Sequence, residues 1–258
     1  PSYNTCQPSI CGAFNACKLL PGEQKQVRFQ LKAPSEAEIA GIQTKTELDI
    51  KTNYDFDGSL VYITPVVNVD EIVRLQTEGK RLTVEESKLQ GSGPVLIDVE
   101  VLGATYILST TQGSPTSTQP QKSILTFKIK NTGQGALLNS KIERSNTNLE
   151  AAANNLNIIN SADVYKKGMV IIFPPELTVA PSADNFRCSR SLAGTVCVNV
   201  KDIDIFKDES RVSMRFEVLP NFLPAGTPFR SATIRAFVFY NYELRDKVSV
   251  TINPFQNV

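Results

Sequence analysis

Histidine is absent from this chain. Its absence removes the commonest general base, the commonest metal ligand and every Ser-His or Cys-His nucleophile at once. No run of about 18 or more apolar residues occurs, so no segment reads as a membrane-spanning helix. The phosphate-cradling G-x-x-x-x-G-K-[ST] loop and a G-x-G-x-x-G turn between strand and helix are both missing, which leaves nucleotide chemistry without a seat. Close C-x2-C pairs of the zinc type are missing as well, and so is any N-x-[ST] acceptor for N-linked sugars. Charge of one sign is not in excess: 27 Lys and Arg stand against 26 Asp and Glu, interspersed along the chain. That balance gives no electrostatic footprint for nucleic acid or an anionic membrane. The start at Pro1-Ser2-Tyr3-Asn4 has neither a basic nor an apolar leader region, so the chain reads as mature, trimmed or partial.

What is present is β-strand grammar, and it occurs twice. An early segment reads VRFQLKAP and then TELDIKTNYDFDGSLVYIT; a late one reads MRFEVLP and then TIRAFVFYNYELRDKVSVTI. Arg28-Phe29 matches Arg215-Phe216, and Asn53-Tyr54-Asp55-Phe56 matches Asn241-Tyr242-Glu243-Leu244. Alternating apolar positions follow in both copies, the period of half-buried strands. Asp57-Gly58 suits a two-residue hairpin turn between strands at 46–52 and 60–64, with 245–247 as the equivalent turn in the second copy.

A short amphipathic helix is predicted over 70–83, and the glycine-bearing EESKLQGSGP after it reads as linker. Further strands are predicted at 95–108 (one bent or two short), 124–131, 168–173, 196–206, 212–219, 232–240 and 247–252. A polar loop covers 109–122, and a helix is predicted within the Ala-rich 145–162. Six prolines between 174 and 228 keep helices out of the second half. The reading is all-β: two immunoglobulin-like β-sandwich modules with short helical insertions. Residues 1–66 form a cysteine-bearing partial module, 67–93 a helix and linker, and 94–258 a full module.

Five cysteines set the compartment argument. Cys188 and Cys197 flank SRSLAGTV, a stretch of the length that joins two neighbouring strands, and make the best disulfide. Cys6, Cys11 and Cys17 crowd the N-terminus, their pairing open, and one of them is left to bind another chain, a missing segment or nothing. Disulfides belong to oxidising compartments, which places the protein outside the cell.

ILTFKIKNTGQG opening a module and a Y-N-Y strand closing it resemble the immunoglobulin-like repeats, CARDB-like or fibronectin type III-like, of secreted and surface proteins in archaea. The resemblance covers 95–258 and, as a half pattern, 23–66. It implies an extracellular scaffold or adhesion role and brings no catalytic residues with it.

Candidate chemistry is sparse. Asn53, Asp55, Asp57 and Gly58 match the opening of a calcium loop, but Thr64 stands where the closing bidentate Glu belongs, so a plain hairpin turn is the stronger reading. Asp202 and Asp204 share one side of a strand; with Ile203 and Ile205 pointing inward, a solvated outer face explains them. Phe237 and Phe239 share a face with Val238 and Tyr240 on the other, which points to burial between layers or subunits.

The partial first module carries the functional argument. Val27, Phe29, Leu31, Leu48, Ile50, Leu60 and Tyr62 present an apolar face with open strand edges, and something must cover it. The function expected is a structural protein of the cell surface, not an enzyme, with copies of itself as partner in a filament, sheath or layer. No cofactor and no small-molecule ligand is indicated. The alternative is an adhesin or receptor ectodomain that binds a glycan or protein through loops such as 109–122 and 178–195. A third possibility, an accessory domain of a secreted hydrolase, would rest on Asp202 and Asp204.

Overall fold

The computed structural model describes residues 42–102, 105–109, 122–155, 167–179, 182–183, 185–218, 223–224 and 226–253. The chain divides into two units: residues 1–50 with 247–258, and residues 51–246. In the first unit, Gln43 Nε2 donates to Asn253 Oδ1 at 2.8 Å, and an exposed ion pair joins Lys247 to Glu47 at 3.5 Å.

The described residues are mostly strand. In order, the strands are β1 (Thr44–Asn68), β2 (Ser87–Gln90), β3 (Val95–Val101), β4 (Ile107–Ser109), β5 (Lys122–Asn131), β6 (Ala136–Leu137), β7 (Lys141–Ile142), β8 (Gly168–Phe173), β9 (Leu177–Val179), β10 (Ser182–Ala183), β11 (Phe186–Ser191), β12 (Gly194–Asn199), β13 (Ile203–Asp204), β14 (Glu209–Val218) and β15 (Phe229–Ile252). Helices α1 (Val69–Thr77) and α2 (Leu149–Asn154) interrupt them, and among the described residues no helix is long and apolar enough to cross a membrane.

One sheet has the order β10-β11-β12-β8-β15-β1-β2, with β4 added parallel to β1 and β6 antiparallel to β15; a second runs β3-β5-β14-β9. Both contribute to one core in the second unit. Strand alternation explains how. In β3, Val95, Ile97, Val99 and Val101 turn inward, and in β14 Val212, Met214, Phe216 and Val218 do the same. The register Val212↔Phe127 and Met214↔Leu125 brings these residues onto the inward side of β5. From the first sheet, Leu60, Tyr62, Ile234, Ala236, Val238 and Met169 complete the core.

Strands β8 and β12 read GMVIIF and GTVCVN without alternation, and every residue in them is buried. A near-continuous apolar run marks a strand covered on both faces. Met169, Ile171, Phe173 and Cys197 face the main core, while Val170, Ile172, Val196 and Val198 form a second cluster with Ala152 and Ala153 of α2. Helix α1 instead stays on the surface: Asn68 caps it by accepting from Asp70 N at 3.0 Å, and Arg74 ties Glu71 to Glu78. It ends at Thr77, six residues short of the expected limit, where Glu78, Gly79 (φ +68°) and Lys80 return their N–H groups to the last turn.

Several expectations change. No hairpin turn occurs at Asp57-Gly58, which lies inside the 25-residue β1, and none occurs at 245–247, inside the 24-residue β15. The even-numbered alternation Tyr54, Phe56, Gly58, Leu60, Tyr62 runs unbroken through the dipeptide. Gly58 is there for close approach: a Cβ would meet the Val95 carbonyl oxygen at 2.9 Å. The supposed linker 85–94 contains β2, paired antiparallel to β1 from Leu60↔Gln90 to Ile63↔Ser87. The strand expected over 196–206 is divided into β12 and β13, while 95–108 takes the second of its two expected forms, the short strands β3 and β4. Leu60 and Tyr62, before the expected 67–93 segment, pack in the same core as Ile97 and Phe127 after it.

Candidate functional site

The two sequence copies meet as neighbouring strands. Tyr54 of β1 lies 5.7 Å from Tyr242 of β15, and Phe56 lies 6.0 Å from Tyr240, ring centre to ring centre, which fixes the strands as antiparallel. Tyr242 donates its hydroxyl to Asn131 Oδ1 at 2.9 Å and accepts from Gly135 N at 3.0 Å. Asn131 in turn donates from Nδ2 to the Gly135 carbonyl at 2.9 Å. Tyr240 accepts from Val95 N at 3.2 Å, which joins the second sheet to the first. Side chains at Gly133 or Gly135 would run into the Tyr242 ring, and one at Gly93 would meet Phe56 at 2.6 Å. The NTGQG segment is thus a receptacle for Tyr242. Burial pushes the Tyr240 phenol well above its ordinary range, and burial followed by the hydrogen bond to Glu86 does the same to Tyr62.

Cys188 and Cys197 face each other across β11 and β12 and form the expected disulfide. The carboxylate candidates do not converge. Asn53, Asp55 and Asp57 are exposed on one side of an extended strand, where alternate residues stand about 7 Å apart, so they line up without encircling a cation. Among the described residues no three Cys, Asp or Glu side chains group in a way that would hold a metal. Asp202 accepts from Lys141 Nζ at 2.5 Å and from Arg144 N at 2.8 Å, and those bonds hold its carboxyl below the usual range. It clamps β7 to the segment after β12, while Asp204 is exposed and Ile203 and Ile205 are buried.

The expected interface residues fall into three groups. Leu60 and Tyr62 are 1% and 0% exposed inside this chain's own core, so β3, β5 and their neighbours cover them and no second subunit is needed there. Leu48 is half-buried, Ile50 is 37% exposed, and Phe237 and Phe239 are half-buried against the α2 cluster with their rings stacked at 6.4 Å. Val27, Phe29, Leu31, Cys6, Cys11 and Cys17 lie outside the described residues, as does most of the 109–122 loop.

A feature that the sequence did not announce lies beside α2. An open groove of about 830 Å³ has Leu149 and Val198 in its lining and carries Arg144, Lys167 and Arg187. Asn199, fully buried, holds it together: Oδ1 accepts from Met169 N at 2.7 Å, and Nδ2 donates to the carbonyls of Glu143 and Lys201. Gly168, at φ +88°, lets the backbone pass Ser145, where a Cβ would come within 2.6 Å. Lys167 is paired with Glu143 at 2.5 Å, and Thr147 Oγ1 is buried with no hydrogen-bond partner. The cations come from three separate segments and no local motif links them, which is why they were missed.

No protein-family model matches the chain, and no curated protein matches it. Among the described residues the fold is all-β, with its two larger sheets sharing a core and Cys188–Cys197 bridging β11 and β12.

Proposed function

We propose that this protein is an extracellular structural subunit of a cell-surface filament, sheath or layer, of the immunoglobulin-like kind, joined to copies of itself along exposed strand. One observation carries the reading. Strands β1 and β15 are neighbours of 25 and 24 residues, several times the usual length, and only part of each serves the core. From Thr44 to Asn53 only Leu48 is even half-buried, and from Leu244 to Ile252 only Val250 and Ile252 are.

These stretches keep strand alternation, with Leu48, Ile50, Val248, Val250 and Ile252 on the even positions, and strand of this type invites addition of another chain. The disulfide supports an oxidising compartment. Electron microscopy and sedimentation of the purified protein across a concentration series test the proposal. Ordered assemblies that grow with concentration are expected, and a strictly monodisperse monomer at every concentration contradicts it.

A further inference from the structure

Resting on that reading of self-association, we infer that one contact between copies is a two-fold pairing in which Asp55 and Asp57 of each copy enter the Arg144–Arg187 groove of the other. Asp55 and Asp57 alternate with Tyr54 and Phe56, which pack on the main core, so the carboxylates project from the opposite face of the first sheet. Arg187 stands opposite Val198, which belongs to the α2 cluster, so the groove opens on that same face. Both features lie in the same unit. Along the strands, Asp57 is level with the Gly168 end of the groove, and Arg187 stands one same-face pair, about 7 Å, further on. Phe239 is in register with Gly168 and Phe237 with Val170, Val170 is in register with Val198, and Phe56 lies beside Tyr240. In the order β11-β12-β8-β15-β1, three to four strand spacings, about 14–19 Å, separate groove from carboxylates.

An acidic flank and a basic flank that overlap in height on one face are self-complementary. A two-fold axis lying in that face, parallel to the strands and between β8 and β15, lays each flank on its opposite in the second copy. Helix α2 packs over β11 and β12, on the side of the basic flank. Among the described residues, no carboxylate closes an ion pair with the Arg144 or Arg187 guanidinium, and no cation closes one with Asp55 or Asp57. An anionic, extended occupant suits the Arg144 and Arg187 guanidinium groups, and the β1 strand of a second copy is both. The pairing closes on itself, so it makes a two-copy building block that the exposed strand then extends.

Sedimentation velocity on the full chain tests the pairing, with three proteins compared: wild type, Arg144→Glu with Arg187→Glu, and Asp55→Lys with Asp57→Lys. All four positions are exposed, and circular dichroism checks that each variant is folded. The wild type is expected to dimerise, and more weakly as salt is raised. Each variant alone is expected to lose the dimer, and an equal mixture of the two to regain it, because the exchanged charges are again complementary. Wild type that assembles while both variants assemble equally well overturns the pairing and leaves the proposed function standing. Variants that are monomeric but stay apart when mixed also overturn it. Wild type that is monomeric throughout overturns both.

Discussion

Tyr242 donates its phenolic hydrogen to Asn131 Oδ1 at 2.9 Å across 111 residues of sequence. The Tyr242 hydroxyl oxygen accepts from Gly135 N, so one side chain fastens the turn after β5 to the middle of β15. Tyr242 is 1% exposed, and without its hydroxyl Asn131 Oδ1 keeps the Gly133 N–H at 3.2 Å while the Gly135 N–H loses its acceptor. Tyr242→Phe is expected to cost about 0.5–1.5 kcal/mol, the net worth of a hydrogen bond in a part-buried site. Tyr54→Phe, whose hydroxyl has no hydrogen-bond partner among the described residues, is expected to stay within about 0.5 kcal/mol. Urea denaturation of the two variants checks the difference.

The disulfide joins residues nine apart in sequence, on β11 and β12. Closing so short a loop restricts the unfolded chain by about 2–3 kcal/mol at room temperature. Replacing both Cys188 and Cys197 by Ala is therefore expected to lower the thermal midpoint, and to abolish the sensitivity of that midpoint to reductant at this site. Calorimetry of wild type and variant, each with and without a reducing agent, reads both effects.

Alkaline stability follows from two buried phenols. Tyr62 donates to Glu86 Oε2 at 2.6 Å and is 0% exposed, while Tyr240 is 5% exposed. Both have folded-state pKa values raised above the ordinary 10.0, first by burial. In the unfolded chain these groups lose their protons near pH 10 while the folded chain keeps them, so the native state binds more protons above that point. Stability is then full below about pH 10 and falls as pH rises beyond it. Urea midpoints measured across that range should decline, and the tyrosinate absorbance of these two residues should appear only with unfolding.

Much of the fold was legible because strand alternation is local. Leu125, Phe127 and Ile129 announce β5, and Val212, Met214 and Phe216 announce β14, with their burial following from parity alone. The Cys188–Cys197 hairpin was legible because its spacing matches two short strands and a turn. Asp57-Gly58 misled because the dipeptide's preference for turns is a local propensity, and pairing with the neighbouring strand overrode it. The signal that outweighed it was also in the sequence: parity does not change from Tyr54 through Tyr62, whereas a two-residue turn reverses the chain. Lys88 and Gln90 read as linker because β2 has only four residues and lies among glycines. It is held by Lys88 on Asp98 at 3.0 Å and Gln90 on the Ile97 carbonyl at 2.9 Å, contacts with a strand not yet formed when the sequence is read locally. The groove beside α2 was illegible for the same reason, since Arg144, Lys167 and Arg187 come together only through Asn199 and the β8–β12 pairing.

The claim that copies of this chain join along exposed strand is tested most directly by amide hydrogen exchange, read residue by residue in dilute and in concentrated solution. The account predicts that the N–H groups of Thr44–Asn53 and Leu244–Ile252 exchange more slowly as concentration rises, while those of β5 and β14 are unchanged. Identical exchange of both stretches at every concentration would contradict it.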